Sequence, residues 1–223
     1  MTKDPGLRSA LQFLSGLGKN NNKQWFEANR EQYEQAMNQF EVLVGQLIAG
    51  LGKVVDLDGV TPKDCMMRIY RDVRFSKDKS PYKTGLGAGI VPGGRKSGRI
   101  GYHLHLQPDG KSMAAGGLWE PTPQQLSKFR QAMDAGAGPF KKILSSAQFK
   151  RHFQELTGEK VKTAPQGYPS DHPEIELLRY KQVCVMERFD DKAVASPEFP
   201  ALVLESLKAM KPFIDYLNQA AMG

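Results

Sequence analysis

Between Arg68 and Arg99 the chain carries nine basic residues (Arg68, Arg71, Arg74, Lys77, Lys79, Lys83, Arg95, Lys96 and Arg99) and two acids, Asp72 and Asp78. Removing these from the totals of 31 basic and 24 acidic residues leaves 22 of each sign, so this one segment carries the formal net charge of +7. Charge concentrated in this way focuses a field on an anion, whereas dispersed charge chiefly gives solubility. Arginine offers a planar fork for bidentate oxyanion binding and lysine a mobile point charge, a combination suited to phosphate or carboxylate. A second reading stays open: lysines and arginines also protect an edge strand from pairing with another chain. Asp72 then has either a pairing role, holding Arg68, Arg71 or Arg74 in place, or a proton-transfer role.

The elements that would position these groups follow from side-chain periodicity. Cys65 to Arg74 alternates at period two, with Cys65, Met67, Ile69 and Val73 toward a core and Arg68, Tyr70, Asp72 and Arg74 away from it, Arg71 being the exception; this predicts a strand. Lys77-Asp-Lys-Ser-Pro81 has the composition of a turn, and Ser80 before proline is disfavoured in helical space. Residues 100–107 form a second alternating stretch, with Ile100, Tyr102, Leu104 and Leu106 on one face and Gly101, His103, His105 and Gln107 on the other. If both strands share a sheet, their polar faces coincide. The candidate ligand-binding set is therefore Arg68, Tyr70, Arg74, Lys77, Lys79, Lys83, His103 and His105, with histidine able to act as acid or base near neutrality. Two histidines half-exposed and hydrogen-bonded on a sheet surface are the plain structural alternative. His-x-His supplies only two metal ligands and neighbouring arginines repel a cation, so no metal and no cofactor is expected.

The stretch Arg68-Ile-Tyr-Arg-Asp-Val-Arg-Phe-Ser-Lys-Asp-Lys-Ser-Pro-Tyr-Lys-Thr84 resembles the signature of the domain of unknown function 2461 family. Asn20-Asn21-Asn22 before Trp25-Phe26, Gly101-Tyr-His-Leu-His105, Gly116-Gly-Leu-Trp-Glu-Pro121 and Pro165-Gln-Gly-Tyr-Pro-Ser-Asp-His-Pro173 support the likeness, in order along nearly the whole chain. The resemblance implies a single-domain α+β fold. That bacterial and fungal family has no established activity, so no reaction, substrate or catalytic residue carries over.

At 223 residues, 40% of them hydrophobic, the chain can bury a sizeable core. The Gly- and Pro-containing passages are short and there is no linker or internal repeat, so the expectation is a single domain over 1–223: helical over 5–52, sheet-rich over 64–120 and mainly helical over 122–221, with a late strand near 181–189. Helices before and after a block of antiparallel strands predict an α+β fold with a central, mainly antiparallel sheet and the terminal helices packed on one face. Residues 5–17 have a helical apolar period ending near Gly18, and Asn21 or Asn22 caps a second helix running to Gly52. Trp25 at its start is read as a packing residue. Residues 85–91 form a glycine-rich strand whose side-chain-free face is approached by a ligand or another backbone; the spacing matches neither a dinucleotide nor a Walker motif. Ser145 with Gln148 and Thr122 with Gln125 both read as capping boxes, the first opening a helix to Leu156. Asp171 is read as capping Glu174 to Tyr180. Ser196 or Pro197 starts the closing helices, which Pro212 breaks or kinks.

Cys65 and Cys184 lie in apolar surroundings without Cys-x-x-Cys spacing and read as buried thiols. No apolar run is long enough to span a bilayer and residues 1–5 lack the apolar core of a secretory signal, so the protein is expected to be cytoplasmic, with no membrane partner. Three function classes follow from these residues. The leading one is an anion-binding protein that holds phosphate groups of nucleic acid or a nucleotide on the basic face. The others are an enzyme acting on a phosphorylated small molecule with His or Asp as acid/base, and an interaction protein with an acidic partner.

Overall fold

The structure, a computed structural model, describes residues 7–222. Residues 5 and 6 of the first expected helix, and residues 1–5 considered as a secretory signal, lie outside the described residues.

Helix α1 (Arg8–Lys19) buries Ala10, Leu11, Phe13, Leu14 and Leu17 and runs one residue past Gly18. Asn22 then caps α2 (Lys23–Ala28), its side chain accepting from the Trp25 amide at 2.9 Å. The single long helix expected here is broken at Asn29, whose Nδ2 donates back to the Trp25 carbonyl at 2.8 Å, and α3 (Arg30–Leu51) continues. Such side-chain competition for backbone groups is why Asn interrupts helices. Trp25 packs on Phe13, ring centroids 5.8 Å apart, and lies against the backbone of Gly16, as its packing reading anticipated.

The sheet is a four-stranded antiparallel meander, β1 (Leu86–Ile90), β2 (Tyr102–Leu106), β3 (Ser112–Leu118) and β4 (Val183–Phe189), ordered β1-β2-β3-β4. Ala88 pairs with Leu104 and Leu104 with Ala114, so these three share a face that is fully buried. The other face is formed by Gly87 with His105 and Met113, and Gly89 with His103 and Ala115, and its side chains on β2 and β3 are half-exposed. An α+β fold with an antiparallel sheet is thus present.

The segment 65–74 is not the strand its alternation suggests. Thr61 and Pro62 open a short helix α4 (Pro62–Cys65), where Asp64 Oδ2 accepts from the Thr61 amide at 3.0 Å and from its hydroxyl at 2.6 Å. Beyond it, the Met67 amide donates to the Gly87 carbonyl at 2.8 Å, touching the outer edge of β1. The chain then turns onto residues 81–83 through Arg71 N to Pro81 O at 2.9 Å and Lys83 N to Ile69 O at 2.8 Å. Pro81 has no amide to offer a ladder, and Asp78 Oδ1 draws the turn tight by accepting from Ser80 N at 2.9 Å and Ser80 Oγ at 2.6 Å. The result is an irregular ribbon covering the free edge of the sheet.

The C-terminal half departs from expectation chiefly at its caps. Thr122 and Gln125 form the expected box on α5 (Pro123–Gly136), and an additional helix α6 (Gly138–Ser145) follows. Ser146, not Ser145, caps α7 (Ala147–His152), which stops short of Leu156. At α8 (Ile175–Leu178) it is His172, not Asp171, that serves the preceding residue, Nδ1 accepting from the Glu174 amide at 3.0 Å. Asp190 caps α9 (Asp191–Val194), and α10 (Phe199–Met222) passes through Pro212 as one helix rather than breaking there. Phe213, Ile214 and Leu217 beyond the proline are buried, and that packing outweighs the lost hydrogen bond. Both cysteines are buried and free, and burial pushes the Cys65 thiol up to about 11 and Cys184 to about 12. No helix among the described residues is long and apolar enough to cross a membrane.

Candidate functional site

The glycines of β1 make room for side chains of the same protein. A Cβ on Gly85 would lie 2.7 Å from His105 Cε1, and one on Gly87 would lie 3.4 Å from His103 Cε1 and 3.3 Å from Met67 Sδ. At Gly89 the corresponding neighbours are Cγ and Cδ of Arg95. The two imidazoles therefore lie over the glycine face of β1, near-parallel (22°) with centroids 6.2 Å apart. The reading of this face as open to a ligand or a backbone is corrected: histidine, methionine and arginine fill it.

The histidines differ in their partners. His105 Nε2 is 2.8 Å from Gln107 Oε1, and Gln107 Nε2 donates to Thr84 Oγ1 at 3.3 Å. His103 has no hydrogen-bond partner among the described residues. Burial, followed by the neighbouring His105 and Lys83, pushes its imidazole down to about 4, so it is neutral at physiological pH.

Lys83 joins this group from the ribbon. Its ammonium is lowered by burial and by the like charges of Arg68 and Arg95, and no carboxylate pairs with it among the described residues. Arg68 is likewise in no ion pair, the nearby Asp72 being bonded to Arg74. Arg95 is anchored through Nε to the Asp64 carbonyl at 2.7 Å. Lys83 is thus coupled to Arg68 and Arg95 on one side and to His103 on the other, with His105 beside His103.

The remaining candidates stand apart. Arg74 is bonded to Asp72 through Nε at 3.0 Å and Nη2 at 2.7 Å, and Lys79 Nζ donates to the Val73 carbonyl at 3.0 Å. Arg71 reaches Asp78, the Ser80 carbonyl and Ser76 Oγ; Asp78 is pushed down to about 2, first by its bonds to Ser80 and then by Arg71. These charges hold the turn together. Lys77 is exposed on the same turn. Tyr70 points elsewhere, packing 5.4 Å from Tyr82 and 6.2 Å from Phe26. It belongs to an aromatic cluster with Phe26 of α2 and Tyr33 of α3, its backbone bridging to Tyr82.

A cleft of about 460 Å³ adjoins His105 and is lined in part by Asn21, Lys83, Thr84, His105, Gln107 and the Arg71–Asp78 pair. Asn21 fixes its wall: Nδ2 donates to the Tyr82 carbonyl at 2.9 Å and Oδ1 accepts from the Tyr82 amide at 3.1 Å, so one side chain substitutes for a neighbouring strand. Phe26 stacks on Tyr82 beneath it, centroids 4.0 Å apart. Asn21, Thr84, Arg95 and Gln107 escaped the sequence reading of the site. The charge run contained Arg95, and Gln107 shares the polar face of β2, but nothing in spacing links Asn21 to Tyr82. Arg188 is also added, since Met113 pairs with both His105 and Arg188 and brings it onto the same sheet face. No group of three or more His, Cys, Asp or Glu that could hold a metal occurs among the described residues.

The family model described as Conserved hypothetical protein (DUF2461) matches residues 9–216. No curated protein and no solved structure matches the chain.

Proposed function

Because the chain belongs to the DUF2461 family, whose description carries no reaction, we propose from the site itself that the protein binds phosphate groups of nucleic acid or of a nucleotide, in the cytoplasm, at the sheet face bearing Lys83, Arg68, Arg95, His103 and His105. The observation that carries this reading is Lys83, half-buried beside two arginines with no carboxylate to balance it. Holding like charges together without a counter-ion is unfavourable, and that unfavourable energy is released when an anion enters. Elsewhere on the ribbon arginine pairs with aspartate, as in Arg71 with Asp78 and Arg74 with Asp72, and Arg68 and Arg95 lie near Asp72 and Asp64, so of the three cations Lys83 is the one on which no carboxylate acts. His103 and His105 add imidazole nitrogens, and the amide of Gln107 and the hydroxyl of Thr84 lie at the cleft wall.

The test is binding of a labelled single-stranded oligonucleotide, and of nucleoside mono- and triphosphates, by wild type and Lys83→Ala. A charge-assisted contact is worth roughly 1.5–3 kcal/mol, so the variant is expected to bind about 10-fold or more weakly. For an oligonucleotide, log affinity falls with log salt by about 0.7 per phosphate neutralised. Steep salt dependence, reduced in the variant, supports nucleic acid; nucleotide binding without oligonucleotide binding assigns the cleft to a small ligand. Equal affinity of wild type and variant, or no binding of either probe at low salt, refutes the proposal.

A further inference from the structure

The two imidazoles are placed differently enough to do different work. Gln107 Oε1 can only accept, so His105 Nε2 donates that hydrogen bond and Nδ1 is the ring nitrogen left for a second partner. His103, without a partner, keeps a lone pair available. The near-parallel rings have centroids 6.2 Å apart, a span that one phosphodiester group can bridge. Lys83 stands beside them to meet the charge that develops on the non-bridging oxygens.

We propose that His103 and His105 cleave RNA at this face, His103 accepting the proton of a ribose 2′-hydroxyl as its oxygen attacks the adjacent phosphorus, and His105 Nδ1 giving a proton to the departing 5′-oxygen. The inference rests on the reading that this face binds phosphate. One P–O bond forms and one breaks, and the electron pair of the broken bond leaves with the 5′-oxygen and takes the proton from His105. The products are a 2′,3′-cyclic phosphate and a 5′-hydroxyl, with no oxidant, reductant or water consumed. Proton exchange with solvent returns the rings to their starting states. Burial depresses His103 most and the like charges of His105 and Lys83 add to it; a bound phosphodiester offsets the charge contribution and so raises its basicity when the substrate is present. DNA lacks the attacking hydroxyl, so it binds without being cut.

The experiment uses the full chain with end-labelled single-stranded RNA and DNA of one sequence, in EDTA, comparing wild type with His103→Gln and His105→Gln purified in parallel. Expected are RNA fragments ending in 2′,3′-cyclic phosphate, intact bound DNA, and variants that keep cooperative unfolding, bind DNA a few-fold more weakly, and at saturating RNA cut at least about 100-fold more slowly. Replacing one ribose of the RNA by 2′-deoxyribose removes the cut at that bond alone, a readout independent of any variant's folding. RNA bound but left intact overturns this inference and leaves phosphate binding standing; failure to bind either polymer removes the support for nucleic acid from both. Equal cutting by the variants, or cutting only after a divalent cation is added, overturns the two-imidazole chemistry.

Discussion

The neutral His103 makes stability depend on pH in a defined window. Its imidazole falls from an ordinary value of 6.5 to about 4, through burial first and then through His105 and Lys83. The unfolded chain therefore takes up this proton before the folded one as pH drops, so the contribution of His103 to unfolding free energy is constant above about pH 7 and declines between about 6.5 and 4. At roughly 1.4 kcal/mol per pH unit of separation, the full decline from this residue is about 3 kcal/mol. Lys83, with Arg68 and Arg95 behind it, faces the ring and opposes its protonation, as does the neighbouring His105. Denaturant unfolding of wild type and His103→Gln across this range isolates the term, since carboxylates common to both proteins cancel; Asp78, held near 2, titrates below the window. The variant should show a shallower decline, and the His103 ring protons of wild type should titrate near 4 by NMR. Parallel pH curves for the two proteins, or a His103 midpoint at or above 6.5, would refute the reasoning. Pyrophosphate bound beside Lys83 should move that midpoint upward.

Three further outcomes test the scaffold. Asn21→Ala leaves the amide and carbonyl of Tyr82 without their partner and should cost about 1–3 kcal/mol in denaturant unfolding, with the cleft wall loosened to hydrogen exchange at 81–83. Gly85→Ala drives a methyl onto the His105 ring and to 2.9 Å from the Leu106 carbonyl, so a loss of about 1–3 kcal/mol is expected, together with altered His105 chemical shifts. Thr122→Ala removes the side chain that accepts from the Gln125 amide at 3.2 Å; it should lower stability by about 1 kcal/mol without changing anion affinity.

Where a local signal governed the outcome, it could be read directly. Thr122-Pro123-Gln124-Gln125 makes its helix start because proline needs no amide partner at the first turn and Gln125 closes the box. The strict alternation of Tyr102 to Leu106 made β2 legible, and the single apolar period of Leu11, Leu14 and Leu17 made α1 legible. Competing signals were harder. The alternation of Cys65 to Arg74 was real, since Cys65 and Ile69 are buried, but Pro62 and Asp64 at one end and Asp78 to Pro81 at the other pulled the backbone out of any ladder. At Ser145-Ser146 two adjacent candidate caps are chemically alike, and only the position of buried Phe149 selects Ser146.

By itself, the sequence determined that the positive charge is local, that two histidines share the polar face of one strand, and that an antiparallel sheet stands among helices. Charge count and period-two alternation are properties of neighbours along the chain. Which cations are spent on the turn and which are left unpaired was decided only in three dimensions. Arg71, Arg74 and Lys79 find Asp78, Asp72 and a carbonyl within a few residues, whereas Lys83 is carried by the Ile69 and Tyr82 pairings to the side of His103. The glycine stripe of β1 likewise acquires its meaning through register: only antiparallel pairing with β2 lays His103 and His105 across it, because cross-strand neighbours are set by hydrogen-bonded backbone rather than by sequence distance.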